Sequence, residues 1–261
     1  MNLKELAKET GKIVMKHYAS TDLKVEIKYD NSPVSNADLE ANDYLIENLR
    51  QTGASILSEE TGLLLQNPND LYIIDPIDGT LGFTKKMGGF SVMISHIQNG
   101  KPIESIVYAP LENEMYHADE ASTYLNNEPI HASNQSENIS IAMNKSGIPN
   151  GFIMDFNVQT AKRYASLGVR LSKIADGTID LWIPNKAKGA IWDLAAPAHI
   201  LQNAGGRVIT PNDTDFDFSY TNQITENPTA NHGMDGLMIC AFNANNNLEE
   251  KVRGYLTDCP K

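Results

Sequence analysis

Cysteine is nearly missing from this chain of 261 residues: only Cys240 and Cys259 occur. Two isolated cysteines build neither a disulfide framework nor a thiolate metal site. Cys240 lies inside the apolar run Leu237–Phe242 and reads as a small core residue. Long apolar runs are lacking too. The opening MNLKELAKETGKIVMKHY has no apolar core of signal-peptide length, and no stretch reaches the length that spans a bilayer. A cytoplasmic location is therefore the expectation. Positive charge is scarce: 21 Lys and Arg stand against 33 Asp and Glu, a formal net charge of −12. Such a surface repels nucleic-acid backbones and anionic membranes, which excludes both as natural partners. An acidic site would also repel an anionic small molecule unless a cation lay between them.

What is present is the composition of a folded domain, 41% hydrophobic and 21% charged, so disorder is not the default. Short polar tracts at Pro211–Thr214 and Asn243–Asn247 read as loops. Leu3, Leu6, Ala7, Ile13, Val14 and Tyr18 follow a helical period over residues 2–18, and a second helix is expected from Ala37 or Asp38 to Leu49. Lys24–Pro33 between them is polar, extended or turn-like. Ala54–Leu57 and Leu71–Ile74 have the look of short buried strands, and Phe90 to Leu125 reads as a meander with a hairpin cue at Asn99-Gly100. Further on, a helix is expected over Arg163–Ala175, a strand over Ile179–Ile183, a helix over Asp193–Ala204 closed by Gly205-Gly206, and a last helix near Leu248–Tyr255. Alternation of helices with sheet elements predicts a layered α/β sandwich. The expected division is an N-terminal α+β part, 1–140, and a C-terminal α/β part, 141–261, joined in one catalytic unit.

The most informative segment is LYIIDPIDGT, residues 71–80. An apolar strand would deliver Asp75 to a crevice at its end, and Asp78, past the fixed φ of Pro76, can turn toward the same point. Two converging carboxylates repel unless they are protonated or bridged, and oxygen-only ligands favour magnesium or manganese over zinc. Alone, the segment reads equally well as an Asp-rich turn capping local N–H groups. Three further segments add carboxylates: SNAD with Asp38, LSEE with Glu59 and Glu60, and IWDLAAPAHI with Asp193. Each could be a helix-capping or solvated acid; all four together favour a metal site.

DPIDGT, with SEE upstream and WD downstream, resembles the signature of the inositol monophosphatase superfamily. NSPVSNAD, LSEE and GKPIESIVYAP bring the chain nearest to its bacterial CysQ-type 3′(2′),5′-bisphosphate nucleotidases. The likeness runs from about Leu6 to Ile209. It implies an αβαβα sandwich of the inositol monophosphatase/fructose-1,6-bisphosphatase type. It also implies two to three magnesium ions held by Glu59, Asp75, Asp78, Asp193 and the carbonyl of Ile77, with manganese as a substitute and lithium as an inhibitor. Asp38 and Thr80 would position the attacking water, and Gly79 and Thr80 would offer N–H groups to the phosphate. The implied reaction converts 3′-phosphoadenosine 5′-phosphate to AMP, with Arg170 against the second phosphate. The resemblance leaves room for an inositol or sugar-phosphate phosphatase, for a non-catalytic binding protein of the same fold, and for a monomer or homodimer.

Three departures fall beside the expected site. The family's DGT-K-E-F becomes Leu81-Gly82-Phe83 after Thr80, its GSS or GTA becomes Ala165-Ser166-Leu167, and Ala196-Pro197 follows the WD pair. Proline is expected only in a helix's first turn. Trp182 and Trp192 read as seam fillers, the latter orienting Asp193, and His199 as a packing residue with no catalytic role.

Overall fold

The computed structural model describes residues 1–29, 32–132, 139–143, 158–182, 190–209, 215–226, 240–242, 248–250 and 252. Spacings of three and four put Leu3, Leu6, Ala7, Thr10, Gly11 and Val14 on one face of α1 (Leu3–Ala19), and that face is buried. Its cap is Asn2, whose side chain accepts from Glu5 N. The segment expected to be polar and extended or turn-like forms a hairpin, β1 (Val25–Ile27) and β2 (Pro33–Ser35), with antiparallel pairing. The helix α2 (Asn36–Leu49) starts with a capping box of Ser35 and Asp38.

Eight strands form the large sheet: β3 (Ser55–Ser58), β4 (Gly62–Leu64), β5 (Asp70–Asp78), β6 (Ser91–Gln98), β7 (Lys101–Ala109), β8 (Glu114–Asp119), β9 (Thr123–Leu125) and β10 (Glu128–Pro129). Their order is β10-β9-β8-β7-β6-β5-β3-β4. The β3–β5 pair is parallel and the others are antiparallel. Asn99 and Gly100, both left-handed, close the β6–β7 hairpin. Alternation along the strands sends Ile56, Tyr72, Ile74, Val92, Ile94 and Ile106 toward α1 and α2. Leu57, Leu71, Ile73, Met93 and Val107 face the other way, into a second core.

That second core is closed by α4 (Leu167–Ala175) and α5 (Ile191–Asn203); α3 (Thr80–Thr84) is a single short turn after β5. Behind α4 stands a five-stranded sheet of β11 (Ile139–Met143), β12 (Val158–Arg163), β13 (Leu181–Trp182), β14 (Arg207–Ile209) and β15 (Cys240–Phe242), ordered β12-β11-β13-β15-β14. A short helix α6 (Tyr220–Glu226) follows β14. Residues 248–250 and 252 are helical, and Glu249 pairs with Arg207 of β14 at 3.2 Å. The architecture is thus an alternating α/β sandwich, and among the described residues no helix is long and apolar enough to cross a membrane.

Several boundaries differ from expectation. β5 does not stop at Ile74 but runs through both aspartates, and Arg163 ends a strand, with the helix beginning only at Leu167. Pro197 lies beyond the first turn of α5, yet the helix continues. Its missing N–H removes one backbone bond, while burial of Ala195, Ala196 and Ala198 between the sheets keeps the backbone helical. Pro211–Thr214, Asn243–Asn247, 237–239, Ile183, Cys259 and the final helix beyond 252 lie outside the described residues, as do the side chain of Cys240 and residues 133–138.

His199 sits in the second core, where its Nδ1 lies 2.9 Å from Ser105 Oγ and its ring meets Phe218 edge-on. Burial pushes its pKa down to about 4, with Asp119 opposing and His117 reinforcing the shift. A folded pKa below the unfolded value of about 6.5 means that stability is full above pH 6.5 and falls as the pH drops toward 4. Urea unfolding of the wild type should therefore lose up to about 3 kcal/mol over that window. In His199→Gln that part of the loss should disappear; an unchanged pH slope would refute the assignment.

Candidate metal and phosphate site

Two carboxylates three residues apart on a regular strand point to opposite faces. In β5 they do not, because the strand is bulged: Asp75 pairs with Met93 and Asp78 with Ser91, so three steps on β5 match two on β6. Pro76, with no N–H to give the ladder, lies inside that irregularity. Asp193 joins from the first turn of α5, and oxygens of Asp75, Asp78 and Asp193 all lie within 4.8 Å of one another.

Each carboxylate has one anchored oxygen. Asp75 Oδ1 accepts Ile77 N at 3.0 Å, and Asp193 Oδ2 accepts Ala190 N at 2.7 Å. Asp78 Oδ2 accepts Ser166 Oγ at 2.5 Å and Gly168 N at 2.7 Å. Asp75 Oδ2 is buried and has no partner. Burial raises the pKa of all three groups. For Asp75 the charges of Glu59, Asp78 and Asp193 add to it, for Asp78 the Ser166 and Gly168 donors limit the rise to about 6, and for Asp193 the charge of Asp78 carries it to about 8. An orphaned buried oxygen among hard oxygen donors is what a divalent cation fits: it pairs with that atom and removes the repulsion.

Glu59 stands outside this trio, just past β3. Its Oε1 lies 3.0 Å from Lys28 Nζ, which also reaches Glu60 Oε1 at 2.8 Å. Burial alone would favour neutral Lys28, but the two carboxylates reverse this and raise its pKa. Burial and the charge of Glu59 outweigh the Lys28 contact and raise Glu60 to about 7. The sequence reading missed Lys28, which lies just past β1 in a segment with no periodicity.

Asp38 and Thr80 meet although 42 positions apart: Thr80 Oγ1 is 3.1 Å from Asp38 Oδ1 and 3.0 Å from the carbonyl of Ile77. The other oxygen of Asp38 accepts Ser35 N and Ser35 Oγ at 2.8 and 2.6 Å. Both residues are buried, and burial raises the pKa of Asp38 despite these donors. Gly79, at φ 89°, supplies the left-handed bend that turns the chain from β5 into α3.

Arg170 and Ser166 complete the surroundings. Arg170 Nε donates to the carbonyl of Tyr164 at 2.9 Å, and Nη2 donates to those of Tyr164 and Ala165 at 2.6 and 2.9 Å. Its Cζ lies 6.0 Å from the ring centre of buried Trp182. Ser166, whose role beside Asp78 the sequence did not disclose, caps α4 by accepting Val169 N at 2.8 Å. Trp192 packs, half-buried, against the second core.

Cation binding to the trio should be visible in stability. Magnesium at a hundredfold excess over its dissociation constant should stabilise the wild type by about 2.7 kcal/mol. Asp75→Asn should abolish that response while unfolding no earlier than wild type without magnesium, because one repelling charge is gone. Thermal unfolding with and without the ion checks both; a retained magnesium shift in the variant would contradict the assignment.

Residues 2–245 match the inositol monophosphatase family. The 3′(2′),5′-bisphosphate nucleotidase CysQ of Buchnera aphidicola is 30% identical over 235 residues, 85% of this chain and 88% of that one. A Thermotoga maritima protein named fructose-1,6-bisphosphatase/inositol-1-monophosphatase is 28% identical over 88% of this chain and 90% of its own length. Among solved structures, a Pyrococcus horikoshii protein with similarities to inositol-1 monophosphatase superposes with a TM-score of 0.80 at 21% identity, covering 100% of this chain and 99% of that one. With a bulged aspartate strand, a third carboxylate from the helix that carries WD and the matching sandwich in place, the chain belongs to the inositol monophosphatase family.

Proposed function

We propose that the protein is a magnesium-dependent phosphomonoesterase that removes the 3′-phosphate of 3′-phosphoadenosine 5′-phosphate and leaves AMP. The observation that carries the hydrolase reading is the trio of buried Asp75 and Asp78 with half-buried Asp193, and its unpartnered Asp75 oxygen. Glu59 and the carbonyl of Ile77 are the further oxygens proposed for two to three ions, with manganese as a substitute and lithium as a competitor. Bound magnesium would draw charge from the phosphoryl oxygens and acidify water.

The chain's own part in the reaction is proton handling and orientation. Thr80 Oγ1 can pass its proton to Asp38 Oδ1 while accepting one from the attacking water. Burial prepares Asp38 for that proton by raising its affinity. The water oxygen forms the new P–O bond, the P–O bond to the sugar breaks, and the alkoxide takes a proton from solvent. The N–H groups of Gly79 and Thr80 are proposed to face the phosphate.

The nucleotide is supported by the name of the Buchnera relative. A sugar phosphate is the second reading, supported by the Thermotoga relative and by Arg170, whose guanidinium is engaged by the carbonyls of Tyr164 and Ala165. Initial-rate phosphate release with magnesium decides between them. The nucleotide reading expects 3′-phosphoadenosine 5′-phosphate to be much preferred over inositol 1-phosphate, and the reverse preference would replace it. Thr80→Val should lower kcat by about 10²–10⁴-fold while the magnesium-induced rise in Tm persists. Near-normal kcat in that variant would remove the Thr80–Asp38 relay.

A further inference from the structure

We propose that Arg170 is a positioning residue for Asp78, acting through the strap Tyr164–Ser166 without touching substrate. The inference rests on the reading that the carboxylate trio holds a divalent cation. Two adjacent carbonyls on the strap, those of Tyr164 and Ala165, receive three hydrogen bonds from the Arg170 fork. Opposite the guanidinium, the strap lies against the glycine-rich turn after β5. A Cβ on Gly82 would come within 2.3 Å of Ala165 Cβ, and one on Gly79 within 3.0 Å of Ser166 N. Ser166 N also donates to the carbonyl of Gly89 at 2.8 Å. The strap is therefore wedged between a planar cation and a backbone that has no side chains to yield.

What the wedge fixes is the donor pair on Asp78. Ser166 ends the strap, its Oγ reaches Asp78 Oδ2 at 2.5 Å, and Gly168 N, in the first turn of α4, reaches the same oxygen at 2.7 Å. Ser91 Oγ, at 2.8 Å, steadies the Ser166 hydroxyl. Loss of the fork would release the carbonyls of Tyr164 and Ala165, let Ser166 shift, and leave Asp78 free to rotate away from Asp75 and Asp193. Lysine keeps the charge but is a point donor that cannot reproduce a planar fork across two carbonyls.

The sign of one measurement separates positioning from charge. Deleting a cation near a metal site, and nothing else, should tighten divalent-ion binding, because the repulsion is lost. Loss of a ligand's outer support weakens it, typically by about 10–100-fold. Manganese affinity, read from the EPR signal of free Mn²⁺, should thus fall about 10–100-fold in Arg170→Met and fall in the same direction in Arg170→Lys. With manganese saturating, the ratio of KM values for 3′-phosphoadenosine 5′-phosphate and inositol 1-phosphate should stay as in wild type. Unchanged or tighter Mn²⁺ binding in variants whose near-UV CD is native would overturn the proposal. So would a KM increase confined to the bisphosphate, which would make Arg170 a phosphate contact. If Arg170→Met does not fold, Arg170→Lys decides by the same sign. A wild type that binds no Mn²⁺ would remove the metal reading itself, and the proposal with it.

Discussion

Asp75, Asp78 and Asp193 place oxygens within 4.8 Å of one another where burial already opposes ionisation. At an effective dielectric of about 20, each pair of full charges at such a distance repels by about 3 kcal/mol. A charge-assisted hydrogen bond returns about 1.5–3 kcal/mol. Asp78 has two such donors and Asp75 and Asp193 one each, so the anchors offset part of the repulsion and leave the remainder to a cation. Much of the surrounding structure serves to keep these groups in place: the bulge in β5, the first turn of α5 and the N-terminus of α4 each contribute one constraint. The helix N-termini of α4 and α5 also face their positive ends toward the carboxylates, which lessens the cost of gathering them.

The same bulge explains why the two layers of the sandwich meet at the site. β5 is central in the large sheet, with α1 and α2 on one face and α4 and α5 on the other. A regular strand would give Asp75 to one core and Asp78 to the other. Turning both to one point lets Asp38 from the α2 side and Ser166 from the α4 side converge there, through Thr80 and Asp78 respectively. The carboxylates nearest Lys28, Glu59 and Glu60, form a separate and partly neutralised edge to this cluster.

The layered class and most helices were legible in the sequence, because amphipathic periods of 3.6 and 2 survive in Leu3–Val14 and in the strands of the large sheet. The two aspartates of β5 were legible as a pair, but the strand was read as ending before them: proline and glycine look like a stop when the bulge that accommodates them leaves no mark on periodicity. The β1–β2 hairpin escaped because its strands are only three residues long and every residue of β1 is exposed, so no apolar alternation marks them. The roles of Lys28 and Ser166 depend on contacts 31 and 88 positions away, which no local pattern encodes. Arg170 shows the converse. The resemblance, not a local pattern, placed it against a second phosphate; in the structure its fork donates to the carbonyls of Tyr164 and Ala165, following the path of the strap.

Two of the departures from the family pattern touch each other, and this gives them a common physical origin. Gly82 stands where the pattern has an acid, and Ala165 where it has a glycine; the methyl of Ala165 occupies the space that any side chain at 82 would need. With Ala165 in place, an acid at 82 would force its own Cβ to within 2.3 Å of that methyl, a separation real structures do not sustain. The strap would have to lift, and Ser166, bonded to both Gly89 and Asp78, would lift with it. Neither change is therefore independent of the metal ligands, although neither residue is one. The family's charged pair is lost beside the turn after β5, and the added methyl packs against that turn on the side that supports Asp78. The side chains at 81 and 82 thus differ from the family pattern while the carboxylate geometry is held from the other side of the same contact.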